Sequence, residues 1–173
     1  MHRPGLRAAA AATAPWRKAL MSSDPETYRG FVYPWEMDHV GHLNVQFYVR
    51  RFDEASWHFL ARLGVSPTYL REHRRGVVAR EQRATYHAEV LAGSLLVIRT
   101  RLAEVREKSM RYTHTMYNLK DAHADEAGAT MEEVAATMEL VVIHIDAVRR
   151  KSCAWPGDVF ARGARLLPEQ TPE

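Results

Sequence analysis

The sequence predicts an α+β fold: an antiparallel five-stranded sheet wrapped around one long central helix. Three observations lead there. One long stretch repeats large apolar residues at helical spacing. A strand-like segment precedes it, and four more follow it. The breaks between those four are short, and short connections join antiparallel neighbours, because a parallel pair needs a long crossover.

The first strand covers residues 28–34, Tyr-Arg-Gly-Phe-Val-Tyr-Pro, rich in strand formers and ended by a proline that cannot donate to a ladder. A loop, 35–43, follows. Asn44 is a good N-cap, since its side-chain oxygen can accept an N–H of the first helical turn. Tyr48, Phe52, Ala55, Phe59 and Leu63 recur at three- and four-residue steps, which sets them on one helical face. Gly64 supplies the stop, because glycine readily takes the left-handed conformation that ends helices. A helix of about 19 residues is roughly 28 Å long at 1.5 Å per residue, and its aromatic stripe requires a broad surface to bury against.

Segments 76–90, 94–106, 109–120 and 131–146 supply that surface. They are separated by Ala92-Gly93, by Glu107-Lys108 and by the polar run 121–130 with Gly128. Residues 141–145, Val-Val-Ile-His-Ile, are apolar on both faces, as in a central strand. The C-terminus, with Pro156, Pro168 and Pro172, reads as coil with at most a short final turn.

A chain of 173 residues suits one domain, and 46% hydrophobic residues suffice for a core. Residues 1–26 read as an N-terminal extension outside the fold, 27–157 as the domain and 158–173 as a tail. Residues 8–14 are nearly all alanine, and no acid occurs before Asp24. Such a start is either a targeting segment or the product of an upstream start codon, with Met21 as the working start. Residues 1–20 hold Arg3, Arg7, Arg17 and Lys18 and no acid, so the basicity belongs to this segment and the remaining chain, with 20 basic and 21 acidic residues, is one charge negative. The body lacks the broad positive face that phosphate backbones require, and no nucleic-acid partner is expected. The single cysteine, Cys153, excludes an intrachain disulfide framework and a four-thiolate zinc site, and fits a reducing, cytoplasmic setting. No apolar run reaches the ~20 residues of a membrane helix, so no membrane partner is expected.

The chemistry concentrates in Asp38-His-Val-Gly41-His42-Leu-Asn44-Val45-Gln-Phe-Tyr48, between the first strand and the helix. A helix N-terminus presents unpaired backbone N–H groups and a partial positive charge. It can hold a carbonyl oxygen as that oxygen becomes an oxyanion. Gly41 permits a positive φ or a close backbone approach. Asp38 brings a carboxylate to the same place, and a polarised carbonyl beside a carboxylate is what acyl-transfer hydrolysis needs.

The pattern D-x-x-G-H-x-N, then Tyr48, then Glu54-Ala55, resembles the 4-hydroxybenzoyl-CoA thioesterase family of hotdog-fold proteins over about residues 27–157. The resemblance implies a hotdog fold and hydrolysis of an acyl-CoA. It implies no cofactor beyond the coenzyme A of the substrate, and a homodimer or homotetramer. It carries the catalytic carboxylate onto Asp38 and the oxyanion donor, a backbone N–H at the start of the central helix, onto Val45. Gly41 and Asn44 shape that turn, His42 borders the site, and Tyr48 faces substrate. The turn Glu104-Val-Arg106-Glu-Lys108-Ser109 takes the family's role of binding coenzyme A phosphates, through Arg106, Lys108 and Ser109. Glu107 departs from the pattern where relatives can carry another base. Val45 stands where many relatives have a second asparagine, while Glu36 matches an acid many place two residues before the aspartate.

Other residues carry two readings each. Tyr33 and Trp35 either line an acyl pocket, with Trp35 in contact with substrate, or serve as strand and core residues. Glu54 is a base in a variant mechanism or a hydrogen-bonded structural acid. Glu81, in Arg80-Glu-Gln-Arg83, faces a partner's site or solvent. His39 and His42 lack the H-E-x-x-H context of a metal site, so no metal is expected. His114, His123 and His144 have no evident partners. There is no G-x-S-x-G elbow, no phosphate loop and no dinucleotide fingerprint. A hotdog hydratase or dehydratase and a non-catalytic acyl-CoA-binding protein are the competing functions.

Overall fold

The computed structural model describes residues 24–120 and 131–167. The extension 1–20, His123 and the end of the tail lie outside these residues. Strand β1 (Glu26–Phe31) leads through a 3-10 turn (Pro34–Glu36) to helix α1 (Val45–Arg62) and the short helix α2 (Pro67–Glu72). Strands β2 (Arg75–Tyr86), β3 (Leu95–Val105), β4 (Ser109–Lys120) and β5 (Met131–Asp146) follow, then a two-residue strand β6 (Lys151–Ser152) and helix α3 (Gly157–Leu166).

The main strands form one antiparallel sheet in the order β1-β3-β4-β5-β2, with β6 paired to the end of β5. The sheet curls around α1, the hotdog arrangement. The predicted stripe is the buried face: Tyr48, Phe52, Ala55, Phe59 and Leu63 are all buried. They pack in one core with Leu96, Ile98, Leu102, Tyr112 and Met116 of the sheet. Each large apolar side chain so buried contributes roughly 1.5–3 kcal/mol. Gly64, at φ 96°, ends α1 as expected. Its N–H donates to Ala61 O at 3.0 Å and that of Val65 to Leu60 O at 2.9 Å, the paired bonds of a Schellman stop.

Two polar residues share the buried face of α1, and both find partners across the core, although Arg51 Nε makes no hydrogen bond among the described residues. Arg51 pairs with Glu36. Ser56 Oγ lies 2.8 Å from His114 Nε2, while His114 Nδ1 lies 2.7 Å from Thr100 Oγ1. His114 is thus fully enclosed. His144 is also buried, stacked on Trp155, with Tyr69 Oη at 3.1 Å and Ala154 O at 2.9 Å. These partners are far away in sequence, which is why the sequence leaves both histidines unpaired.

Three boundaries differ from expectation. β2 ends at Tyr86 rather than at residue 90, because the N–H groups of His87 and Ala88 both turn onto Ala135 O. Tyr33, Pro34 and Trp35 form the 3-10 turn and its cap instead of strand or core, and all three are exposed. The tail is not coil: α3 begins one residue after Pro156 and buries Val159 and Gly163. A Cβ on Gly163 would touch Val105 and Leu102, so glycine there lets α3 lie close on β3. Pro156 stands at the N-cap of this helix and does not interrupt it.

Candidate active site

The loop before α1 folds back on Asp38. The Asp38 N–H donates to His42 O at 2.8 Å, and the Gly41 N–H to Asp38 O at 3.2 Å. Gly41 holds φ 87°, which explains a glycine at that corner. Asp38 Oδ1 accepts the N–H groups of Val40 at 2.9 Å and His42 at 3.1 Å. Burial pushes the Asp38 carboxyl up, but these two bonds and the nearby His39 and His42 outweigh it, leaving Asp38 below its ordinary value. It is therefore ionised at neutral pH, with Oδ2 free of hydrogen bonds among the described residues.

The helix start supplies the complementary donor. Asn44 caps α1 as predicted, accepting the Gln46 N–H at 3.1 Å, and its carbonyl accepts the Phe47 N–H at 2.9 Å. The Val45 N–H makes no hydrogen bond among the described residues. It stands at the positive end of an 18-residue helix.

Asp38, His42, Leu43, Val45 and Tyr48 line one cavity of about 370 Å³ with Tyr86, His87, Ala88 and Glu89. Its size falls in the usual range for small-molecule sites. Tyr48 is buried and meets Tyr86 edge to face, with ring centroids 5.0 Å apart. Burial pushes the Tyr48 phenol up to about 12, so it is present as the hydroxyl and not as phenolate. His42 Nε2 lies 3.5 Å from Glu89. Tyr86, His87 and Glu89 were not legible in the sequence. The turn after β2 brings them in, held by the Leu43 N–H on Val90 O at 2.8 Å.

Other expected site residues lie elsewhere. Trp35 is 73% exposed and stacks on Tyr33 at 4.3 Å. It lines a second hollow with Arg51 and Glu54, on the β1 side of α1. Glu54 is paired with Arg50 at 2.9 Å. Glu81 lies on the exposed sheet edge beside Arg80, at 3.5 Å. Arg106, Lys108 and Ser109 form the β3–β4 turn, where the Arg106 N–H donates to Ser109 O and Arg106 pairs with Glu104. Tyr86 pairs with Ala136 and Ser109 with Ile143, so the turn and the cavity are seven residues apart along β5, roughly 23 Å at 3.3 Å per residue. Within one chain they sit at opposite ends of the sheet.

Among the described residues no group of three or more His, Cys, Asp or Glu side chains is placed to hold a metal ion, and no helix is long and apolar enough to cross a membrane.

The family model of the thioesterase-like superfamily matches residues 32–163, from the end of β1 into α3. The chain belongs to the thioesterase-like superfamily. It is a thioester hydrolase by that membership, and the matched span contains the Asp38 loop, the cavity and the whole sheet after β1. Solved structures share the superfamily's hotdog fold with it. A hypothetical protein from Staphylococcus aureus, determined in complex with CoA, superposes with a TM-score of 0.71 at 18% identity, covering 87% of this chain and 90% of that one. A gentisyl-coenzyme A thioesterase gives 0.62 at 23% identity, covering 76% and 94%. A DHNA-CoA thioesterase from Staphylococcus aureus gives 0.61 at 16% identity, covering 73% and 78%. No curated protein sequence matches the chain significantly.

Proposed function

We propose that the protein hydrolyses acyl-CoA thioesters, with Asp38 as the catalytic carboxylate and the Val45 N–H as the oxyanion donor. One observation carries the reading: an ionised carboxylate oxygen and an unengaged helix-start N–H line the same cavity. The thioester carbonyl oxygen accepts the Val45 N–H and is stabilised there as negative charge develops. Asp38 attacks the carbonyl carbon or takes a proton from the attacking water. The C–S bond breaks, coenzyme A leaves as thiolate and takes up a proton, and water supplies the hydroxyl of the free acid. His42 and Tyr48 border the reacting atoms, and Gly41 and Asn44 set the turn.

The distance of Arg106, Lys108 and Ser109 from the cavity bears on assembly. One coenzyme A can meet Asp38 and this turn together most simply when the turn comes from another copy. The exposed edge strand β2 also leaves a row of ladder groups to be covered. Both support a homodimer or homotetramer.

Release of free thiol from short, branched, aromatic and trimethylammonium-bearing acyl-CoAs tests the activity. Steady release from a saturated acyl-CoA supports hydrolysis, which a hydratase does not perform. Tight binding without turnover would favour a non-catalytic acyl-CoA-binding protein.

A further inference from the structure

Glu36 and Arg51 form a buried ion pair at 2.6 Å, with side chains only 8% and 4% exposed. A buried pair of this kind is weak evidence for stability, since desolvation offsets its attraction. Its connections are more informative. Glu36 Oε2 also accepts the Tyr33 N–H at 2.9 Å, closing the 3-10 turn. Arg51 donates to Phe47 O, in the first turn of α1, and to Phe31 O, the last residue of β1, both at 3.1 Å. The Glu36 carbonyl accepts the Asn44 N–H at 2.9 Å. The loop from Met37 to Leu43 is thereby fastened at both ends, and a bridge between those two residues closes it.

Asp38 lies two residues after Glu36, and Val45 one residue after Asn44. The two groups that must face one carbonyl therefore hang from opposite ends of a single clamp. We infer that the Glu36–Arg51 pair is a positioning element for the reaction: it fixes the Asp38 carboxylate relative to the Val45 N–H and touches no substrate. Small misplacements of reacting groups are costly in rate, because the attack geometry is narrow. The inference rests on the reading of Asp38 and Val45 given above.

The test compares Glu36→Gln, Glu36→Asp and Arg51→Lys with Asp38→Asn. Melting temperature, kcat and KM are measured for one acyl-CoA, with the Kd of a non-hydrolysable CoA thioether. Glu36→Gln keeps the shape and an accepting oxygen but loses the charge. We expect folded Glu36 and Arg51 variants to lose about tenfold or more in kcat, with KM and thioether Kd within about twofold of wild type. In the Asp38→Asn background, Glu36→Gln should add little further loss, since residues acting as one unit are not additive. A purely structural pair would lower the melting temperature and leave kcat per folded molecule unchanged. That result in any folded variant overturns the inference while leaving an inactive Asp38→Asn, and so the proposed function, intact. Failure of all three variants to fold also overturns it, since the pair would then hold the fold and not the loop. An active Asp38→Asn instead removes the reading beneath it.

Discussion

Asp38 and Val45, seven residues apart in the chain, line the same cavity, and each keeps one polar group uncommitted. The carboxylate has spent Oδ1 on the Val40 and His42 N–H groups and keeps Oδ2. Its structural role and the chemical role proposed for it thus reside on different oxygens of one side chain.

Asp38→Asn separates those roles. The amide oxygen can accept the same two N–H bonds, so the loop should persist, with a melting temperature close to wild type. The charge is lost. We expect kcat to fall by at least about a hundredfold, as for a positioned acid–base group. Steady-state kinetics beside a thermal melt check it; substantial activity in the folded variant would move attention to Glu89 and His42.

The pH dependence of activity follows from the same hydrogen bonds. In the proposed mechanism the working form is the Asp38 carboxylate, and its pKa lies below the ordinary 3.8. Activity should therefore hold from neutral pH into the acid range, and the acid limb should fall below pH 3.8 if the fold survives. A kcat/KM profile taken well below the melting temperature reads this directly. An acid limb centred near pH 6 would assign the essential group to a histidine.

Stability should respond to acid earlier than activity does. Burial of His114 lowers its pKa from 6.5 to about 3. Between those values the unfolded chain binds the proton and the folded one does not, so stability is full above pH 6.5 and is lost as the pH falls toward 3. The slope should approach roughly 1.4 kcal/mol per pH unit in that window. Chemical denaturation at several pH values measures it. His114→Gln should flatten the slope whatever it does to stability at pH 7, and an unchanged slope would show that other groups carry it.

Arg106→Ala/Lys108→Ala should raise KM and leave kcat nearly fixed. An exposed contact of this kind is worth about 1 kcal/mol, or roughly fivefold in KM. A truncated thioester without the nucleotide should show no effect. If the turn serves a neighbouring copy, Asp38→Asn subunits co-assembled with the double variant should regain wild-type KM at the intact sites. An unaltered KM in the double variant refutes the phosphate role, and hybrids without recovery refute the action between copies.

The protein should sediment as a dimer or a multiple of it at micromolar concentration. A stable monomer with full activity would contradict the assembly argued from β2 and from the distant β3–β4 turn.

Much of the architecture was legible because it is written in local periodicity. The Tyr48-to-Leu63 stripe, the Asn44 cap and the Gly64 stop depend on residues within a few positions of one another, and all three hold in the structure. The same locality misled at the C-terminus, where α3 becomes helical by packing Val159 and Gly163 on β3. Arg51 and Ser56 look like surface residues in a helical sequence; only partners 15 and 58 positions away, Glu36 and His114, make them interior ones.

By itself the sequence determined the helix, the strand segments and the Asp38-to-Tyr48 motif, because each is a short-range pattern that backbone and side-chain chemistry fix locally. Tertiary structure alone decided which residues share the cavity. Strand pairing and the bond from Leu43 to Val90 O carry Tyr86, His87 and Glu89 to Asp38. The same pairing puts Trp35 on another face of α1 and Arg106 at the far end of the sheet. The physical reason is that register and sheet curvature are set by the packing of the whole core around α1, which no short segment encodes.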